Sequence, residues 1–129
     1  MRDAACPFCP VSTEAIVASN SLAFAIRDRF PVTSLHTLVI SRRHVADYFE
    51  LHDSELRAMH RLLQDVREGI RRDDKLVLAF NVGANAGAVA GQTVQHCHLH
   101  LIPRRHGDLQ NPRGGVRAVI PGKADYTVP

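Results

Sequence analysis

No apolar run in the chain approaches the roughly 20 residues that a membrane span requires, and the N-terminus lacks the apolar core of a secretory signal. Both absences lead to the expectation of a cytoplasmic protein with no membrane partner. Cysteine is scarce, with 3 in 129 residues. An odd number in a chain without an export signal argues against a disulfide framework. Internal repeats, low-complexity stretches and linker composition are missing too, so one domain over residues 1–129 is expected, long enough to bury a core. An excess of one charge sign is also lacking. The formal net charge of +3 suits an anionic small molecule without specifying nucleic acid. The glycines of the Val82–Gly91 stretch are not followed by Gly-Lys-Ser/Thr, which excludes a P-loop. What remains, at 45% hydrophobic and 22% charged residues, is ordinary globular composition.

Against that background one stretch stands out. His96-Cys97-His98-Leu99-His100-Leu101-Ile102-Pro103-Arg104, preceded by Gly91-Gln92-Thr93-Val94, alternates imidazoles with apolar side chains. Alternation of period two reads as a half-buried strand, with His96, His98 and His100 on one face and Cys97, Leu99 and Leu101 toward the core. A row of imidazoles gains little stability, so chemistry explains it better. A single metal held by all of them fails on reach. The Cβ atoms of His96 and His100 would stand about 13 Å apart on a regular strand. Each imidazole meets a metal only about 5–6 Å from its own Cβ. The row therefore divides its labour, one end binding something separate while the middle and far members act on a substrate.

Cys6-Pro7-Phe8-Cys9 admits several readings. A Cys-x-x-Cys pair resembles a thiol redox site, but that context needs a strand before it and a helix directly after. Five residues precede Cys6, and Pro10 with strand-like Glu14–Ala18 follows. The other readings are half of a tetrahedral zinc site, which needs two more ligands from elsewhere, and an unliganded reduced pair.

Further strands are expected over Ser21–Asp28, His36–Ser41 and Leu76–Asn81, where β-branched and apolar residues concentrate. A long helix is expected over Ser54–Arg72. Asp53 serves as its N-cap, and Leu56, Met59, Leu62, Leu63, Val66 and Ile70 form one stripe. On its other face Arg61, Arg67, Arg71 and Arg72 alternate with Asp65 and Glu68, a solvated surface and not a nucleic-acid stripe. His52 and His60 read as structural or exposed. Val116–Ile120 is a short strand candidate bracketed by Pro112 and Pro121. Arg104, Arg113 and Arg117 read as surface charge, with contact to a distal phosphate as the alternative. The whole is an α+β domain, an antiparallel sheet of about five strands packed on the long helix, with room for one shorter helix.

The His-φ-His-φ-His-φ-φ pattern at His96–Ile102, with φ apolar, resembles the signature of the histidine-triad (HIT) nucleotide hydrolases and transferases. Asp28, His36 and His44 match further positions of that family, as do Asn85 and the Gln92-Thr93 pair. The resemblance implies His98 as nucleophile, forming a covalent nucleotidyl-histidine at an α-phosphate, and His100 as hydrogen-bond or proton donor to the bridging or leaving oxygen. It implies Asp28 on a ribose and His36 near the α-phosphate, with Asn85, Gln92 and Thr93 on phosphoryl oxygens. In the zinc-bearing branch, Cys6, Cys9, His44 and His96 would form a closed structural zinc site, residues 1–10 being its knuckle-like segment. The implied substrate is an adenine-type nucleotide, with a dinucleoside polyphosphate first and a nucleotide phosphoramidate second. No organic cofactor is implied, and the expected assembly is a homodimer made by pairing sheets. A nucleotide-binding module with little turnover, and a zinc-dependent redox or stress protein, remain as alternatives. Leu35 departs from the pattern, which usually has Gly there, and this puts the geometry of the loop before His36 in question.

Overall fold

Apolar alternation and turn residues set out a five-stranded antiparallel sheet with the spatial order β1-β2-β3-β5-β4. The structure is a computed structural model that describes residues 5–127. Strand β1 covers Ile16–Ser19, β2 Ala23–Arg27, β3 Thr37–Ser41, β4 Val77–Gly83 and β5 His98–Arg105, with the single α-helix among the described residues, α1, at Asp53–Asp73. The strands β3 and β5, far apart in sequence, are neighbours, pairing Val39 with Leu99 and Ile40 with His98. On its other edge β5 pairs with β4, Gly83 opposite His100. The histidine strand is thus hydrogen-bonded on both sides, which fixes its backbone better than an edge position would.

Helix α1 covers one face of the sheet. Met59, Leu62, Val66 and Ile70 recur at helical spacing and are buried, packing against Ala25, Val39, Cys97, Leu99 and Leu101. Each such side chain contributes about 2 kcal/mol of transfer free energy. A smaller apolar group, Phe24, Leu38 and Ile40 with Phe8 and Val11 packed on it, lies apart from this core. The sheet is therefore apolar on both faces around β2 and β3, as the unbroken burial of Thr37–Ser41 requires.

Several expectations are corrected. The helix begins one residue earlier than its stripe implied and is capped at His52, not Asp53. The cause is Glu55, whose carboxylate accepts the His52 N–H at 2.8 Å. Leu56 is partly exposed and leaves the stripe. Val116–Ile120 is not a strand; Gly115–Val119 forms a 3-10 turn, entered through Gly114 at φ +86°, where a Cβ would collide with the Ala124 carbonyl. The strand expected over His96–Ile102 starts only at His98, because Cys97 turns its N–H to the Val45 carbonyl at 2.8 Å. No shorter α-helix accompanies α1 among the described residues, only 3-10 turns.

Arg43, directly after β3, is bound to buried Glu55 of α1 through both carboxylate oxygens at 3.0 and 2.8 Å. That pair ties the segment carrying His44 to the helix. The buried partner is Glu55, so Arg43→Met, which leaves its carboxylate unpaired, should lower unfolding free energy by about 3 kcal/mol, and a compensating Glu55→Leu should restore part of it. Urea unfolding of both variants measures this, and a neutral Arg43→Met would contradict it.

Candidate active site

The four ligand atoms of Cys6, Cys9, His44 and His96 lie within 4.8 Å of one another. Cys6 Sγ is 3.3 Å and Cys9 Sγ 3.6 Å from His96 Nδ1, Cys9 Sγ is 3.3 Å from His44 Nδ1, and the two Nδ1 atoms are 3.2 Å apart. A tetrahedral ion with metal–sulfur bonds near 2.3 Å and metal–nitrogen bonds near 2.05 Å has nitrogen–nitrogen and nitrogen–sulfur edges of about 3.3 to 3.6 Å. The donor set fits a metal of that kind. Its protonation fits as well. His96 Nε2–H donates to the Ser41 carbonyl at 2.6 Å, so in the neutral ring the lone pair sits on Nδ1, toward the cluster. Burial holds His96 below the ordinary histidine range, keeping it neutral. Burial pushes the Cys6 thiol up, and a bound cation is what would reverse that. Cys97 is different: buried in the core, its thiol is pushed up to about 12 and stays inert.

The second constellation is Asp28, His36 and His100, also within 4.8 Å. Its hydrogen bonds argue against a metal there. The Val32 N–H donates to His36 Nδ1 at 3.0 Å, so that nitrogen carries the lone pair and Nε2 carries the proton. His36 Nε2–H then donates to His100 Nδ1 at 2.9 Å, which leaves the His100 proton on Nε2. A metal on His36 Nε2 would force a proton onto Nδ1, against the Val32 N–H. This group is a relay that sets a tautomer. Asp28 lies just past β2, with one oxygen holding the Phe30 N–H at 2.8 Å and the other 3.5 Å from His36 Nε2.

His98 stands between the two groups, half-buried on β5. Its Nδ1 is 2.7 Å from the His96 carbonyl, which can only accept, so Nδ1 carries the hydrogen and, in the neutral ring, Nε2 carries the lone pair. His98 and His100 rings are 5.2 Å apart between centroids. One imidazole therefore offers a nucleophilic nitrogen beside another that offers an N–H. Burial, then repulsion from His98 and His36, lowers His100 to about 4, so it is neutral near pH 7 and presents a hydrogen-bond donor, not a positive charge. Burial likewise lowers His36, with the Asp28 charge opposing.

The loop between β4 and β5 places the remaining expected residues. Gln92 is buried and its amide is engaged within the protein: Oε1 accepts the Gly87 N–H at 2.8 Å, and Nε2 donates to the Ala46 and Val94 carbonyls at 2.6 and 2.9 Å. These bonds hold the loop in place. Gly87 and Gly91, at φ +99° and +98°, allow the reversal that this clamp closes. Asn85 is half-buried beside Gly91, and Thr93 is exposed. Leu35 adopts φ +72°, the left-handed conformation that glycine takes without strain. Arg104, Arg113 and Arg117 do not converge on the site. They pair respectively with Asp108 and Asn81, with Asp125, and with the Lys123 carbonyl. Sequence reasoning missed the Val32 amide and the Ser41 and His96 carbonyls, which carry no side-chain signal, and it passed over Phe8, whose ring lies edge-on to His98.

Comparison with known proteins agrees with this arrangement. The family model described as HIT domain matches residues 10–107. An uncharacterised HIT-like protein of Mycoplasma pneumoniae is 38% identical over 68% of this chain, though the match spans only 60% of that protein's length. The adenosine 5'-monophosphoramidase hnt1 of Schizosaccharomyces pombe is 32% identical over 77% of this chain and 70% of its own. A crystal structure of a zinc-bound histidine triad family protein from Mycobacterium smegmatis superposes with a TM-score of 0.75 at 30% identity, covering 83% of this chain and 80% of that one.

A stability test follows from the relay. Where a histidine is lowered in the fold, the unfolded chain binds more protons between its own value near 6.5 and the folded value, so stability falls as pH falls through that window. For His100 the window ends at about 4. His100→Asn, which keeps an acceptor for His36, should therefore lose less stability than wild type on acidification from neutral toward this limit. Urea midpoints across the window test it; parallel losses in the two proteins would contradict the account.

Proposed function

The chain belongs to the histidine-triad (HIT) family, and from that premise we propose a nucleotide hydrolase or nucleotidyl transferase that works through a covalent nucleotidyl-histidine on His98. The observation that supports this most directly is the pairing of a bare His98 Nε2 with a His100 Nε2–H on the same strand face. Phosphorus in a nucleotide is ringed by negative oxygens, so a neutral attacking group and nearby neutral donors suit it. His98 Nε2 attacks the α-phosphorus, a P–N bond forms, and the bond to the leaving group breaks. His100 hydrogen-bonds the departing atom. Water, or another acceptor, then displaces the nucleotidyl group from His98. In this reading Asp28, whose outer oxygen faces the relay, accepts from a ribose hydroxyl. His36 orients His100, Asn85 and Thr93 contact phosphoryl oxygens, and Gln92 keeps their loop in place.

A dinucleoside polyphosphate is the substrate the triad resemblance puts first. A nucleotide phosphoramidate is the second reading, favoured by the relative from Schizosaccharomyces pombe whose name states that activity. Both bonds present an α-phosphorus to the same nitrogen. Purified wild type and His98→Ala should be incubated with diadenosine tetraphosphate, adenosine phosphoramidate and ATP and the products separated. Release of AMP from one substrate by wild type, with a loss of at least about 10³-fold in the variant, is expected. Binding of AMP by both proteins without turnover by either would favour a binding module instead.

Zinc is the ion we assign to Cys6, Cys9, His44 and His96. Closed sites of two thiolates and two imidazoles suit it, and with no open position it would serve structure. It would hold the N-terminal knuckle against the start of β5. We further assign a homodimer through β4. That strand is a sheet edge, it exposes Leu78 and Val82, with Leu76 exposed just before it, and beside it lies a groove lined by Leu63, Arg67, Arg71 and Phe80. An open apolar edge of this kind is a template for pairing with another strand. Native mass spectrometry tests both: one zinc per chain at twice the chain mass is expected, Cys9→Ser losing the metal and Leu78→Glu halving the mass. A metal-free wild type, or a monomeric one, would contradict the respective assignment.

A further inference from the structure

Within the knuckle, Phe8 is the side chain that faces the reacting strand. Its ring centroid is 5.1 Å from that of His98 at an interplanar angle of 76°, and 6.1 Å from that of His96 at 77°. Two independent restraints place it. The Phe8 N–H donates to Cys6 Sγ at 3.4 Å, closing the knuckle turn. The ring packs on the apolar group of Phe24, Leu38 and Ile40 on the sheet. The His98 imidazole has one hydrogen bond to the protein, from Nδ1 to the His96 carbonyl. That bond selects the tautomer and one edge of the ring, and the tilt of the plane is left to its ring contacts, His100 at 5.2 Å and 61° and Phe8 at 5.1 Å and 76°. A Phe8 ring fixed by the knuckle and packed steeply across the imidazole limits that tilt from the N-terminal side.

We propose that Phe8 is a positioning residue for His98: set by the Cys6–Cys9 turn, its ring holds the imidazole plane so that Nε2 keeps its aim at the reacting phosphorus. The inference rests on His98 being the nucleophile. It gives the knuckle a role beyond holding the N-terminal segment, because whatever shapes the turn also shapes the position of the ring against His98. An apolar ring at this place would also touch a bound nucleotide if it merely lined the pocket. The two roles separate in kinetics. Lining affects KM, whereas misalignment of the nucleophile affects kcat.

The test compares wild type with Phe8→Leu, Phe8→Ala and Phe8→Tyr, each checked for metal content and fold. Kinetics on the best substrate are combined with imidazole nitrogen resonances of 15N-histidine-labelled protein without substrate. Edge-on aromatic pairs are worth about two- to tenfold in an equilibrium, so a kcat loss of about that size is expected in Phe8→Leu, with KM changed less than about twofold. Phe8→Tyr, which keeps the ring, should stay near wild type. The His98 resonances should shift or broaden in Phe8→Leu while those of His36 and His100 stay in place. Wild-type kcat and unchanged His98 resonances in Phe8→Leu would overturn the proposal, and so would a rise in KM alone. If Phe8→Ala does not fold, Phe8→Leu, which keeps the apolar packing, carries the decision. If wild type turns over none of the substrates, the proposed chemistry fails separately, and the resonances alone decide whether Phe8 holds His98.

Discussion

Everything at the site hangs on how His96 is held. Its ring is buried with Nε2–H on the Ser41 carbonyl and Nδ1 in the Cys6–Cys9–His44 cluster, while its own carbonyl accepts from His98 Nδ1 at 2.7 Å. One residue thus joins the end of β3, the N-terminal knuckle and the nucleophilic nitrogen. A carbonyl can only accept, so neither bond to a carbonyl has a second solution for its ring. The Arg43–Glu55 pair supports the same junction from the helix side, fixing the segment that brings His44 in.

A second line of hydrogen bonds runs from the other end. The Val32 amide sets His36, and His36 sets His100, so the proton of His100 faces away from the relay. Two backbone groups, one donating and one accepting, therefore give two histidines two residues apart opposite roles. Burial helps by keeping His36, His96 and His100 uncharged near neutral pH. Similar side chains acquire different chemistry from their partners, which is how one fold supplies attack and donation side by side.

Much of this was legible in the sequence. The spacing of His96, His98 and His100 ruled out one shared metal from strand geometry alone, and the structure does separate His96 and His100 into two clusters. The alternation of Leu99 and Leu101 with histidines located β5, though its start lies at His98 and not His96. The departure at Leu35 put the loop geometry in question without saying how, and a left-handed φ of +72° is found there. What escaped is carried by atoms common to every residue. Periodicity cannot tell that Cys97 turns its amide to Val45 and delays the strand, or that the His52 amide on Glu55 moves the helix cap. Nor does a motif tell whether a glutamine faces a ligand or, as Gln92 does, its own loop. The exposed Val116–Ile120 looked strand-like because β-branched residues favour strands, yet the left-handed Gly114 turns the chain into a 3-10 segment first.

Hydrogen bonds rooted in the backbone give His98 the opposite tautomer from its neighbours His96 and His100. Imidazole nitrogen resonances of the wild-type protein near neutral pH read this directly through long-range proton–nitrogen correlations. Expected are a hydrogen on Nδ1 of the neutral His98 ring with Nε2 bare, and a hydrogen on Nε2 of His36 and His100. A His98 protonated on Nε2, or a His100 carrying its hydrogen on Nδ1, would contradict this.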